Sequence, residues 1–228
     1  MQGSVRVGQM VLDALALTKR LRPRVCLVET ASGDPSLIYA MAYEAFNAAG
    51  CDVTELKLFP QPSADPSERL CSSDFVWVGG GSVANLLALW RLHGVDAAMR
   101  DAWEHGVILG GVSAGSICWH LGGTTDSFGP ILRPVTNGLG LLPYANGVHY
   151  DSEEQRRPLL HRLVSDGVLP NLAYATDDHV GIWYEGTNAT SVVSDSPVDP
   201  RTGPAAYRIE MLSGEVHEIR VGVGEYFS

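Results

Sequence analysis

The stretch Val107–Trp119 reads VILGGVSAGSICW, and the rest of the chain is best interpreted from it. It begins with a short apolar run typical of a buried strand, passes through a turn of small residues and ends in a helical pattern. Its centre, Gly111 to Gly115, has the form G-x-S-x-G, which is typical of a nucleophile elbow. Such a turn strains the backbone at the serine and lifts its hydroxyl above the carboxyl ends of a sheet. A side chain on either flanking glycine would collide with the neighbouring strand and helix. We therefore predict that Ser113 is exposed as a nucleophile.

Composition limits the class of protein. The 228 residues, of which 45% are hydrophobic, are enough for one large α/β domain, and we expect a single domain over residues 1–228. The net charge of −10 argues against nucleic acid or an anionic membrane surface as a partner. No apolar run approaches the length of a membrane span, and no signal sequence is recognisable.

The four cysteines indicate a reducing compartment. None is spaced as C-x-x-C, and Cys26 and Cys118 lie in apolar runs, so we expect buried thiols instead of disulfides. Together with the absence of a targeting segment, this predicts a cytoplasmic protein.

The first half of the chain alternates apolar strand patterns with helical patterns. Strands are predicted at 25–28, 53–58, 75–78 and 107–111, and helices at 7–20, 37–49, 85–94 and 95–104. This alternation predicts an α/β fold with a doubly wound, mostly parallel sheet and helices on both faces.

The second half is less regular. Residues 124–150 are rich in Gly and Pro and indicate a long functional loop region, followed by a helix at 156–164 and strands at 172–175 and 180–184. Residues 206–212 and 216–221 flank a Ser-Gly turn and predict a C-terminal β-hairpin.

A serine nucleophile needs a base, and seven histidines are available. Most lie on or beside predicted helices or in the hairpin, where a packed or solvated histidine is the usual role. From position alone, His149 and His179 are equally good candidates, since both lie in irregular segments next to carboxylates.

An oxyanion intermediate needs backbone N–H donors. Ala114, directly after the serine, and the glycine loop at Gly80 and Gly81 are the natural pair. Gly79, Gly81 and Ala84 also fit a loose dinucleotide-binding pattern, but no P-loop lysine and no suitably placed acid accompany them. The histidines have no metal-ligand spacing, so we expect neither a cofactor nor a metal.

Several motifs in order resemble the dipeptidase E and cyanophycinase family of serine peptidases, from about Arg24 to the C-terminus. They are the loop TASGD after the first strand, VGGG before a Leu-rich helix, GVSAG, TTD at 124–126, His149-Tyr150, and EQR at 154–156. The resemblance implies a fold like that of class I glutamine amidotransferases, with serine in place of their cysteine.

The resemblance also implies roles for individual residues. Ser113 matches the nucleophile, His149 the general base, and Gly81 and Ala114 the oxyanion donors. Two acids remain as partners of the histidine: Asp178, where the family carries glutamate, and Asp126; we give slight preference to Asp178.

The implied activity is hydrolysis of a short peptide through an acyl-enzyme, without a metal. The alternatives are a cyanophycinase-like or other amide hydrolase, or a non-catalytic binding protein on the same fold. Arg133, Arg156 and Arg157 are candidates for binding an acidic substrate side chain. Exposed sheet edges are compatible with a homodimer, although no sequence feature requires one.

Overall fold

The computed structural model describes residues 5–227, and the contacts between residues divide the chain into two compact units, 5–115 and 116–227. Each unit contains its own sheet.

The N-terminal unit is built on a four-stranded parallel sheet of order β2-β1-β3-β4. The side chains of Val25 to Val28 are fully buried in β1, as expected for a strand covered on both faces. From β1, the chain adds β2 on one side and then β3 and β4 on the other, so the strand order reverses between β1 and β3. In open α/β sheets, ligands bind at such a reversal, beyond the carboxyl ends of the strands. Its strands are β1 (Arg24–Val28), β2 (Asp52–Glu55), β3 (Phe75–Val78) and β4 (Ile108–Gly111), and its helices are α1 (Gln9–Leu17), α2 (Ser36–Ala48), α3 (Pro66–Cys71), α4 (Val83–His93) and α5 (Val95–Glu104), with a 3₁₀ turn at Thr30–Ser32.

Local signals set the limits of these helices. Ser82 caps α4 by accepting a hydrogen bond from the Asn85 N–H, and Gly94 ends the helix in the left-handed conformation with φ of 71°. After α5, the chain enters β4 and then the one-turn helix α6 (Ala114–Ile117).

The C-terminal unit contains a six-stranded mixed sheet of order β12-β11-β8-β7-β5-β6 and a separate antiparallel pair, β9 and β10. The pairs β5–β7 and β7–β8 are parallel, and β11 and β12 form the predicted antiparallel hairpin. Helix α7 contributes the buried Leu160 and Val164 to a core that includes Ile209 of β11. The elements are β5 (His120–Thr125), β6 (Arg133–Val135), β7 (Leu142–Gly147), α7 (Arg156–Ser165), β8 (Leu172–Thr176), β9 (Val180–Glu185), β10 (Asn188–Ser194), β11 (Ala205–Leu212) and β12 (Glu215–Gly222).

The α/β fold class is confirmed, but the prediction of a loop over residues 124–150 is wrong. That region contains β6 and β7, and β5 runs into its start. The helix predicted after the elbow is present but short, because α6 ends at Ile117 and His120 begins β5.

Candidate active site

The turn at Ser113 has the geometry of a nucleophile elbow. Ser113 has φ of 54°, in the left-handed region that residues with a side chain seldom occupy. A Cβ on Gly111 would overlap the Gly115 carbonyl, and a Cβ on Gly115 would overlap the Val78 carbonyl. The backbone of β3 and the start of α6 therefore approach each other at a distance that only glycine allows.

This close approach predicts a large stability cost for Gly115→Ala. The new methyl group would meet backbone atoms, which cannot rotate away, and we expect a loss of about 3 kcal/mol in the free energy of unfolding. Gly50→Ala is the matched control, since Gly50 has φ of 84° with open space around it and should lose only about 1 kcal/mol. Urea unfolding of the two variants measures the difference, and equal losses would show that the elbow backbone can adapt.

A glycine loop, residues Gly79 to Gly81, lies beside the elbow at the end of β3. A Cβ on Gly80 would lie 3.3 Å from the Ser113 Cβ, so the loop is in near contact with the serine. Gly81 has φ of 133°, and a Cβ there would overlap the Ala31 carbonyl. The Ser82 N–H donates to the same carbonyl at 2.9 Å, which fixes the loop on the turn that follows β1.

The two N–H groups predicted to bind an oxyanion are available. Among residues 5–227, no hydrogen bond within the chain occupies the backbone N–H of Gly81 or of Ala114. Ala114 is the first residue of α6, so its N–H has no intrahelical acceptor. Both groups and Ser113 belong to the N-terminal unit.

In the C-terminal unit, His149 and Asp178 form a short hydrogen bond. The distance from His149 Nδ1 to Asp178 Oδ1 is 2.6 Å. A carboxylate at Nδ1 selects the tautomer with its proton on that nitrogen, which leaves Nε2 with the lone pair that a general base uses. Burial alone raises the pKa of Asp178, but the hydrogen bonds from His149 and Ser152 outweigh it and hold the pKa below its ordinary value. Asp178 is therefore an ionised acceptor at neutral pH.

Backbone hydrogen bonds fix the turns that carry this pair. His149 has φ of 53°, and the next N–H, of Tyr150, donates to the Thr176 carbonyl at 3.1 Å. The carboxylate of Asp151 accepts the Asp178 N–H at 2.9 Å. The turns that carry His149 and Asp178 are thus joined by the bond between these two side chains and by two hydrogen bonds from neighbouring backbone N–H groups.

Comparison with known proteins identifies the family. The model for "Peptidase family S51" matches residues 7–192. A Bacillus subtilis protein named "Uncharacterized peptidase YgaJ" is 39% identical over 222 residues, which span 96% of this chain and 93% of that protein. The chain belongs to peptidase family S51. A "Peptidase E" from Shewanella denitrificans is 31% identical over 133 residues, or 54% of this chain and 56% of that protein.

Solved structures share the fold of this S51 peptidase. A peptidase from an acI-B1 actinobacterium superposes with a TM-score of 0.69 at 16% identity, covering 96% of this chain and 88% of the other. A peptidase E protein from Listeria monocytogenes gives a TM-score of 0.54 at 16% identity, covering 92% and 93%. The resemblance to the dipeptidase E family seen in the sequence is confirmed, and with it membership of a family of serine peptidases.

Two other residues considered from the sequence take no part in the His149–Asp178 bond of the S51 peptidase. Asp126 is exposed in the turn after β5, where its carbonyl accepts the Gly129 N–H. His179 is also exposed and has φ of 63°. The structure gives neither of them a hydrogen bond to His149.

The three candidate arginines differ in their surroundings. Arg156 is 2% exposed, and its guanidinium binds the Glu153 carboxylate at 2.9 Å and the Thr124 carbonyl. Arg157 stacks on two tyrosine rings and pairs with Glu218 at 3.1 Å. Arg133 is exposed on β6 and forms no ion pair among residues 5–227. Arg133 is therefore the candidate with the most available charge.

Two acidic residues, one in each unit, were not predicted from the sequence. Asp151 supports Asp178, and its only signal was its place in the acidic run after His149. Glu29 lies directly after the buried strand β1 and is itself only 4% exposed. A charged residue at the end of a buried strand, next to a small-residue loop, was the available signal.

Two features are absent from residues 5–227. No group of three or more His, Cys, Asp or Glu side chains in that range is arranged to hold a metal ion. Over the same residues, no helix combines the length and apolarity needed to cross a membrane.

Proposed function

We propose that this S51 family member hydrolyses short peptides with Ser113 as nucleophile, His149 as general base and Asp178 as the acid that orients the base. The observation that carries the proposal is the left-handed Ser113 beside two unoccupied N–H groups. The 2.6 Å bond between His149 and Asp178 supports it, because it leaves Nε2 as the proton acceptor.

The reaction follows from these roles. His149 Nε2 takes the Ser113 proton as the oxygen attacks the scissile carbonyl, and the N–H groups of Gly81 and Ala114 bind the oxyanion. The imidazolium then gives its proton to the leaving amine, which departs and leaves an acyl-enzyme. Water, deprotonated by the same nitrogen, attacks the acyl carbon. The bond from that carbon to the Ser113 oxygen then breaks, the imidazolium returns the proton to this oxygen, and the acid product leaves.

The substrate is proposed as a small peptide with no bound cofactor. Arg133 is the available cation for an acidic side chain in such a substrate. The four free cysteines support a place in the reducing cytoplasm.

Labelling with a fluorophosphonate tests the proposal. We expect the intact protein to take one label on Ser113, Ser113→Ala to take none, and Ser116→Ala, three residues along, to label as the parent does. A panel of dipeptides with acidic and neutral N-terminal residues then identifies the substrate. A protein that takes no label, or a Ser113→Ala variant that labels equally, would favour a non-catalytic binding protein. A labelled enzyme that cleaves only other amides, such as cyanophycin-like branched dipeptides, would support the second hydrolase class.

A further inference from the structure

A buried carboxyl group lies under the glycine loop that carries one of the proposed oxyanion donors. Glu29 follows β1, and its side chain rests on Gly79 so closely that a Cβ on that glycine would overlap the carboxyl group. Two further contacts hold the same segments together: Ala31 accepts the Ser82 N–H, and Thr30 accepts the Trp90 indole N–H at 3.2 Å. The glycine loop is therefore seated on the turn that begins with Glu29.

The surroundings of this carboxyl group disfavour a charge. Glu29 is 4% exposed, and among residues 5–227 its side chain has no hydrogen-bond or ion-pair partner. The titratable groups acting on it are Asp34, from the turn after β1, and Tyr39, from α2; the glycine loop itself carries none. Burial, and secondly the Asp34 carboxylate, raise the pKa of Glu29 to about 7.

We propose that Glu29 is a positioning residue for the oxyanion loop and that it acts in its protonated form. This inference rests on the proposed function. The carboxyl group touches Gly79, which comes only two residues before the proposed donor Gly81. The Cα atoms of these two glycines therefore lie within about 10 Å of each other. A negative charge there would oppose the oxyanion that forms when Ser113 attacks, whereas a neutral carboxyl group fills the space without that repulsion.

The pH dependence follows from this arrangement. Loss of the Glu29 proton should slow the reaction as the pH rises through about 7. The acidic side of the profile should not depend on Glu29.

The test is the second-order rate of fluorophosphonate labelling as a function of pH. The parent protein should lose rate on the order of tenfold between neutral pH and a pH two units above it. Glu29→Gln, which imitates the protonated form, should remove this alkaline loss, and Glu29→Ala, which leaves a gap beneath Gly79, should be slow at every pH. Glu44→Gln on the exposed side of α2 is the matched control and should follow the parent.

Stability provides a second readout that needs no turnover. Because the folded pKa of Glu29 lies above the ordinary 4.5, its protonation contributes stability that is complete below 4.5 and is lost as the pH rises through about 7. The unfolding temperature of Glu29→Gln should therefore rise relative to the parent across that window, and that of Glu44→Gln should not.

The outcomes separate this inference from the proposed function. If Glu29→Gln is labelled on Ser113 but loses labelling rate above neutral pH as the parent does, the role of Glu29 is overturned and Ser113 remains the nucleophile. Full activity in Glu29→Ala overturns it as well. Absence of labelling in the parent overturns the proposed function, and the inference that rests on it.

Discussion

Replacing His149 by alanine is expected to lower kcat/KM for peptide hydrolysis by about four to six orders of magnitude. Without an imidazole, no group would take the Ser113 proton during attack or return it to the leaving amine. The labelling rate with a fluorophosphonate should fall in parallel, since that reagent depends on the same activated oxygen. The unfolding temperature should change little, because the His149 ring is about one-third exposed.

His179→Ala is the matched control. His179 has nearly the same left-handed backbone as His149 and directly follows Asp178, but it is exposed and has no hydrogen bond to that acid. We expect a change of less than about threefold in kcat/KM, as for a surface substitution. Inactivation by His179→Ala with activity retained in His149→Ala would reverse the assignment of the base.

The elbow and its sheet were predictable from the sequence because their determinants are local. Gly111 and Gly115 mark a turn with no room for a Cβ, and the structure shows backbone carbonyls in that space. The apolar runs that became β1 and β3 are mostly buried, so composition alone identified them. The end of β2 was set too late because the apolar Leu56 and Leu58, which are buried beyond the end of the strand at Glu55, extended the pattern.

The strands in the region predicted as a loop were missed because close packing there requires glycine, which a sequence pattern assigns to loops. Gly122 has no space for a Cβ beside the Val135 carbonyl, and Gly123 has none beside the Asn146 carbonyl. In sequence, such glycines are indistinguishable from those of a flexible loop. Sheet pairing between distant segments decides the outcome, and a single sequence does not display it.

The choice between two acids was undecidable for a similar reason. Asp126 and Asp178 both sit in turns, and aspartate commonly occupies turns for the sake of its own backbone hydrogen bonds. The bond from the Asp178 N–H to Asp151 joins residues 27 positions apart, and no pattern in either segment indicates it. The short side chain of Asp178 reaches His149 because its backbone is held next to the histidine turn by contacts of this kind.

Asp178→Asn is therefore expected to reduce kcat by about four orders of magnitude, with little change in KM. The amide is the same size as the carboxylate, but its NH₂ group would donate to His149 Nδ1. The proton would then move to Nε2, and the imidazole could no longer accept the proton of Ser113. The loss should be largest at neutral pH, where Asp178 is normally ionised because its pKa lies below the ordinary value.

Asp126→Asn makes the same chemical change in the competing acid and should alter kcat by less than about threefold, because Asp126 is exposed and has no bond to His149. Steady-state kinetics of both variants on one dipeptide, with labelling rates alongside, compare the two acids directly. A large loss in Asp126→Asn and a small one in Asp178→Asn would mean that the 2.6 Å bond does not orient the working base. The isosteric pair is decisive because it leaves volume and fold unchanged, so any difference in rate reflects which carboxylate fixes the tautomer of the histidine.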